Sequence, residues 1–393
     1  MNQENQAELT ALVLQGGGAL GAYQAGAYTV LAQGGHEPDW LAGVSIGAIN
    51  SALIAGNPPQ RRVERLEAFW TLATSGLPFT APLAIQGLRP FINEASAFEV
   101  MLEGVPGFFT PRALPAPFQP SGSPGAISFY DTSPLRRTLL ELVDFDYLNT
   151  QGPRLSVGAV DIETGNFVFF DSHEMRIGPE HVMASGALPP GFPPVEVGGR
   201  FYWDGGLVSN TPLEHIFEHA PAEPLCVFQF DLFDARGTGP KDLFEVAQRE
   251  KDIRFSSRTR LNTDRFRERH DIAAAAKRLH DRLPPELRDD PDLLALCDAG
   301  PRGAVTLMHL IYRKRNYEGQ SKDYEFSRRS MREHWAAGAD DAARAIRHPD
   351  WVSRKAPTNG LLIFDLGERD RHQKRSRDAA SGTRNTRIKK TKG

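Results

Sequence analysis

Three short stretches of this sequence bring residues capable of nucleophilic chemistry close to glycines that would free them to act. Gly43-Val44-Ser45-Ile46-Gly47 has the Gly-x-Ser-x-Gly spacing, in which small neighbours let the chain turn sharply from strand into helix and lift the Ser45 hydroxyl into the open. A helix starting there sets its positive end beside the hydroxyl, favouring an alkoxide-like oxygen and the oxyanion of a tetrahedral intermediate. The pattern arises by chance often enough that context has to decide. The flanks WLA and AINSALIAG supply the strand-turn-helix setting it needs.

The second stretch is Gly16-Gly17-Gly18-Ala19-Leu20-Gly21, whose successive backbone N–H groups could point at an anionic oxygen at a helix start. Gly16, Gly18 and Gly21 also fit the dinucleotide fingerprint Gly-x-Gly-x-x-Gly. That reading needs an acid at the end of the next strand, and Glu37 and Asp39 come before the next apolar run, so an oxyanion hole fits better. The third stretch is Trp203-Asp204-Gly205-Gly206. Alone it reads as a tight turn; beside a serine elbow and a glycine loop, the Asp204 carboxylate becomes a candidate base for the serine proton.

The elements that must position these groups follow from the apolar patterning. TALVLQ reads as a strand ending in the glycine loop, and AYQAGAYTVLAQ as a helix stopped by Gly34 and Gly35. WLAGVS reads as a second strand and IGAINSALIAG as a buried helix, with an amphipathic helix over 61–74. Residues 76–128 carry nine prolines and six phenylalanines with little periodicity, which predicts a cap packed on the core, with a lid or membrane-facing lip as the alternative. Beyond it come a helix near 133–143, the β-rich runs RLSVGAVDI and NFVFF, a short helix near 179–185, and the strands RFYW and LCVFQFD. The division expected is a catalytic domain over 8–235, a charged helical extension over 240–366 without further β-rich core, and a basic tail over 367–393.

Composition bounds the class. With 40% hydrophobic and 24% charged residues the chain is an ordinary globular one, and no apolar run approaches the ~18 residues of a membrane span. Cys226 and Cys297 read as free core thiols, which fits a reducing, cytoplasmic setting. The net charge of −3 hides an asymmetry, since residues 368–393 hold ten Lys or Arg against three acids. The plain reading of that tail is a solvated, disordered end; the sharper one is contact with anionic lipid or nucleic acid. No function is built on it.

The three stretches, in this order, resemble the patatin-like phospholipase family. The likeness extends to ASGALPPGFPPVEVGGRFYWDGGLVSNTPL around Asp204 and to GAYQAG in the first helix, covering roughly residues 10–230; the part after 240 is similar, less specifically, to the extension of one bacterial subgroup. The resemblance implies a three-layer α/β/α sandwich and a serine acyl-ester hydrolase that forms an acyl-enzyme through a Ser-Asp dyad. Ser45 would be the nucleophile, Asp204 the base, and Gly16, Gly17 and Gly18 the oxyanion hole, with Gly21, Gly43, Gly47, Gly205 and Gly206 supporting them. No metal or organic cofactor is implied, the partner would be a lipid or other acyl ester, and peripheral membrane contact stays open; no nucleic acid is expected. One departure is Leu20, where the family often has Arg or Lys.

Two rivals remain. An α/β-hydrolase triad could draw on His215, His219, His270, His280, His309, His334, His348 or His372, but only one strand and one helix precede the elbow strand here, and His215 reads as a surface residue. A non-catalytic lipid-binding protein on the same fold is the other.

Overall fold

Apolar runs bounded by glycine fold as the patterning predicts. TALVLQ becomes β1 (Leu9–Leu14), the Gly21–Gln33 segment α1, WLAGVS β2 (Trp40–Val44), and the elbow helix α2 (Ile46–Ala55). The structure, a computed structural model, describes residues 8–76, 89–300, 303–313, 319, 321–355, 357 and 360–365. The basic tail and residues 77–88 of the Phe-rich segment lie outside them. The further strands are β3 (Thr110–Pro111), β4 (Tyr130–Asp131), β5 (Arg154–Asp161), β6 (Phe167–Asp171), β7 (Val195–Val197), β8 (Arg200–Asp204), β9 (Leu225–Asp231), β10 (Val305–Ile311) and β11 (Leu361–Phe364). The further helices are α3 (Pro59–Ala73), α4 (Arg89–Glu103), α5 (Ser133–Leu142), α6 (Phe145–Thr150), α7 (Pro179–Ser185), α8 (Leu213–Glu218), α9 (Leu243–Phe255), α10 (Thr259–His280), α11 (Pro285–Arg288), α12 (Pro291–Asp298), α13 (Arg328–Arg347) and α14 (Pro349–Val352).

The central sheet is mixed, in the order β11-β10-β9-β1-β2-β5-β8-β7, with β6 also paired to β5. From β11 to β5 neighbouring strands are parallel; β6, β8 and β7 join antiparallel. Strand periodicity separates the two faces. Leu12 and Leu14 pack with Tyr23, Ile49 and Trp70 under α1, α2 and α3, while Ala11 and Val13 pack with Leu213, Ile216 and Phe266 under α8 and α10. Helices therefore cover both faces, which is the expected three-layer arrangement. Among the described residues no helix is long and apolar enough to cross a membrane.

The region after 240 is helical, and it also contributes what the sequence did not disclose. VTLMHLI and LLIF, short apolar runs set in charged surroundings, are β10 and β11, which extend the sheet beyond β9 in parallel register. Helix α13 lies across α1 so closely that a Cβ on Gly26 would stand 1.9 Å from the Trp335 carbonyl oxygen, and one on Gly338 1.9 Å from that of Tyr23. The Tyr23 hydroxyl donates to Asp341 at 2.9 Å across the same seam. Such backbone contact leaves no room for a side chain. Gly338→Ala is accordingly expected to cost about 2 kcal/mol or more and to lower the thermal midpoint by several degrees, whereas Ala→Gly at exposed Ala336 should cost under ~1 kcal/mol; thermal denaturation of the two variants compares them.

Candidate active site

Ser45 follows directly from the last residue of β2 and caps α2. Its φ of 56° and ψ of −125° make it the one non-glycine residue with positive φ among those described. Such a conformation stores on the order of 1–3 kcal/mol, and the surroundings hold it in place. The Ser45 N–H donates to Ser185 Oγ at 2.9 Å, and the Ser185 hydroxyl donates to the Gly158 carbonyl at 2.6 Å. A Cβ on Gly43 would lie 2.5 Å from the Gly47 oxygen, and one on Gly47 2.2 Å from the Leu14 oxygen, so both motif glycines are required by the closeness of the elbow to itself and to β1.

Asp204 ends β8 and is 2% exposed. It arrives beside the serine through strand register. Along one edge of β5, Val44 of β2 pairs with Gly158 and Asp204 of β8 pairs with the next residue, Ala159. The Asp204 carboxylate accepts the Gly206 N–H at 2.7 Å, and the Ser45 side chain is the other neighbour that favours its ionised form. Burial raises its pKa from 3.8 to about 7, against the lowering effect of those two neighbours. Gly205 and Gly206 let the chain pass close by: a Cβ on Gly205 would stand 2.7 Å from the Gly158 oxygen, and one on Gly206 3.0 Å from Asp204 Oδ1.

The glycine loop after β1 comes to the same point, with Gly16 against Ser45 Cβ. Its three N–H groups are not equivalent. That of Gly16 donates to the Asn210 carbonyl at 3.2 Å, while Asn210 Nδ2 returns a bond to the Gly16 oxygen at 3.0 Å. Those of Gly17 and Gly18 have no acceptor among the described residues, and the next N–H, from Ala19, donates to the Asp323 carbonyl at 2.7 Å. Gly21 keeps α1 close to the elbow helix, where a Cβ would meet Ile46 at 2.5 Å. The Leu20 side chain is wholly buried in the main core and brings no charge to the loop.

Around these groups lies a cavity of about 460 Å³. Its floor is Ser45, Asp204 and Gly16 to Gly18, and its walls are almost entirely apolar, including Val100, Phe108, Phe109, Leu188, Phe192 and Phe326. Part of the Phe-rich segment is thus wall: Phe108 and Phe109 are buried and stack edge-on, and Phe192 and Tyr130 pack against them. Met101 and Phe129 line the cavity and are exposed, which makes them its rim, and Phe98, Leu102 and Ile127 are exposed as well. Among the described residues no histidine lines the cavity. His215 is not a surface residue: it is buried at the opposite end of β2, stacked on Phe169 and 3.4 Å from Asp171, where α8 turns it inward against the sheet.

Asn210, Ser185 and Gln15 were not singled out in sequence, although the first two fall inside the segment that carries the resemblance. Gln15 accepts the Leu232 and Phe233 N–H groups and donates to Thr211 and the Phe255 carbonyl, fastening the start of the loop to β9 and α9. Asp323, Tyr324 and Phe255 come from beyond residue 240 and line the cavity. Nothing short of the fold connects them to it.

A three-layer fold that raises a serine on a strained strand-to-helix turn beside a buried carboxylate and an apolar cavity defines a class of acyl-handling α/β proteins. Within it, a Patatin-like phospholipase family model matches residues 12–217, and the chain belongs to that family, which acts on lipid esters. A second model, described as Patatin phospholipase, matches residues 253–358. No curated protein matches the chain. Among solved structures, VipD from Legionella pneumophila is similar at a TM-score of 0.36 and 15% identity, over 86% of this chain and 67% of that one.

The pKa of Asp204 makes a prediction that needs no substrate. Because its folded value lies above the ordinary one, ionisation costs the folded state; stability is complete below about pH 4 and falls as pH rises through about 7. Asp204→Asn, which cannot ionise, should melt at a higher temperature than wild type at pH 8, and the difference should shrink at pH 5. Thermal melts at both pH values read this directly, and an equal difference at the two would show that Asp204 titrates normally.

Proposed function

We propose that this chain is a serine acyl-ester hydrolase that cleaves lipid esters through a Ser45–Asp204 dyad and an acyl-enzyme. The observation that carries the reading is a serine on a strained turn beside a buried carboxylate whose pKa is raised to about 7, both lining the floor of an apolar cavity. A base works best with a pKa near the working pH, and the cavity suits an acyl chain.

In this scheme Ser45 Oγ attacks the ester carbonyl carbon as Asp204 takes the hydroxyl proton. The carbonyl oxygen, now negative, is held by the free N–H groups of Gly17 and Gly18, with the positive end of α2 adding to the field. Gly16 serves instead as a tie to Asn210. Collapse of the tetrahedral species breaks the bond to the alcohol, which leaves with the proton from Asp204. Water then gives a proton to Asp204 and attacks the acyl-serine, and the proton returns to Ser45 Oγ as the acid departs. No metal, cofactor or histidine takes part.

The test is hydrolysis of p-nitrophenyl esters of increasing acyl length together with labelling by a fluorophosphonate probe. Wild type should be labelled at Ser45 and should hydrolyse the esters with kcat/KM rising through an ionisation near pH 7. Ser45→Ala and Asp204→Asn should fold and lose activity by roughly 10³-fold or more. Each methylene that enters the cavity should raise kcat/KM about fourfold, from about 0.8 kcal/mol of burial, until the cavity is filled. A wild type that is neither labelled nor active would make this a binding protein on a hydrolase fold.

Peripheral contact with a lipid surface is part of the same proposal. Met101 on α4 and Phe129 line the cavity and are exposed, and Phe98 and Leu102, exposed on the same helix, extend that apolar surface, which burial in an acyl boundary would cover. Phe98→Ser with Leu102→Ser should reduce hydrolysis of vesicle phospholipid at least about fivefold more than hydrolysis of a soluble short ester. Equal losses on the two substrates would rule the rim out as a lipid contact.

A further inference from the structure

Residues 321–326 and α9 are joined beside the oxyanion loop by an exchange of ion pairs. On α9, Lys251 and Asp252 are consecutive; on the facing segment, Lys322 and Asp323 are. Lys251 Nζ lies 2.5 Å from Asp323 Oδ1, and Lys322 Nζ lies 2.7 Å from Asp252 Oδ1. All four side chains are at most 19% exposed, so these pairs act in a medium where Coulomb attraction is much stronger than at an open surface. Each lysine is also set over an aromatic ring of the cavity wall, Lys251 over Tyr324 at 4.4 Å and Lys322 over Phe233 at 5.0 Å.

The backbone fixed by this arrangement is the one that holds the loop. The Asp323 carbonyl accepts the Ala19 N–H at 2.7 Å, and a Cβ on Gly18 would fall 2.0 Å from that same oxygen. Gly18 has φ +52°, a left-handed conformation in which its N–H direction depends on what abuts it. On the other side Gly17 rests on Leu232 and Phe233. The two N–H groups left free are therefore aimed by contacts from segments 232–233 and 321–324, both outside the elbow and the dyad.

We propose that Asp323, clamped by Lys251, is a positioning residue for the oxyanion hole, so that the C-terminal region takes part in the reaction by aiming the Gly17 and Gly18 N–H groups. The inference rests on the hydrolase reading above. It distinguishes aiming from mere support, because an oxyanion forms only in the transition state: misaimed donors lower kcat and leave KM nearly alone.

The experiment uses the full chain with p-nitrophenyl esters, comparing wild type, Asp323→Asn and Lys251→Met, with a trifluoromethyl ketone whose Ser45 adduct carries an oxyanion. Asp323→Asn preserves shape and the backbone carbonyl, and Lys251→Met preserves much of the stem, so both should fold. The expected result is a roughly 10- to 100-fold fall in kcat with KM within about twofold, and a matching loss in ketone affinity. Folded variants that keep wild-type kcat, or that lose activity through KM alone, overturn the proposal. Fluorophosphonate labelling of wild type separates the two levels. Labelled wild type with unaffected variants sinks this inference and leaves the hydrolase reading intact, whereas unlabelled and inactive wild type sinks both.

Discussion

Backbone pairing along β5 fixes where Ser45 and Asp204 meet. β2 occupies one edge of β5 up to Gly158, and β8, running the other way, takes over that edge from Ala159. The two strands end nose to nose, and their terminal residues are set apart by one step of a strand, about 3.3 Å. Gly158 is where everything crowds. Its carbonyl accepts the Ser185 hydroxyl that supports the Ser45 N–H, it limits Gly205 to a bare backbone, and a Cβ of its own would collide with Phe167 at 2.5 Å. A one-residue slip of β8 would turn Asp204 to the opposite face and leave the serine without a carboxylate.

That arrangement stores unfavourable free energy in two places, the left-handed Ser45 and the unpaired Asp204. A comparison within the sheet shows how specific the second is. Asp171 is as buried as Asp204, yet its pKa is held well below the usual range, because His215, Arg154 and Ser156 hydrogen-bond to it and outweigh the effect of burial. Asp204 is eased only by Ser45 and the Gly206 N–H, with no cation beside it among the described residues, so burial prevails and the pKa goes up. Asp231 is also raised by burial, but Gln229 and Ser257 satisfy its oxygens and it does not line the cavity at Ser45. The raised pKa carries functional meaning at Asp204 because of what the carboxylate touches.

The strands and helices of the first 230 residues were legible because glycine punctuates them: Gly16 to Gly18 end β1, Gly34 ends α1, and Gly56 ends α2. The site was legible for the same reason, since close approach excludes side chains and leaves a glycine signature around Ser45 and Asp204. Asn210, Gln15 and Asp323 carried no such signal. They act through hydrogen bonds to backbone nearly 200 residues or more away, as with Asn210 to Gly16 and Gln15 to Leu232, and no local pattern records a partner so distant. His215 was misread as exposed because it follows Glu214 on a short helix; tertiary packing turned it to face Phe169. β10 and β11 were missed because an apolar run of seven or four residues among arginines reads equally well as a helix interior.

The place of β1 in the sheet explains why residues far along the chain bear on the chemistry. Its one edge pairs with β2, its other with β9, and β9 begins only at Leu225. A chain of the first 217 residues would leave β1 as an exposed edge, with an unpaired ladder on the side from which Gln15 is held by Leu232 and Phe233. The glycine loop is the direct continuation of β1, so its geometry would then be set from one side only. β9, buried along its whole length, is in turn covered by β10 and β11 and reaches α9 through Gln15 and Asn210. Ser45 and Asp204 belong to the first part of the chain, whereas the glycine loop stands on the seam between that part and the rest. The geometry of the glycine loop therefore depends on the C-terminal region being docked, while that of Ser45 and Asp204 is set within the first part of the chain.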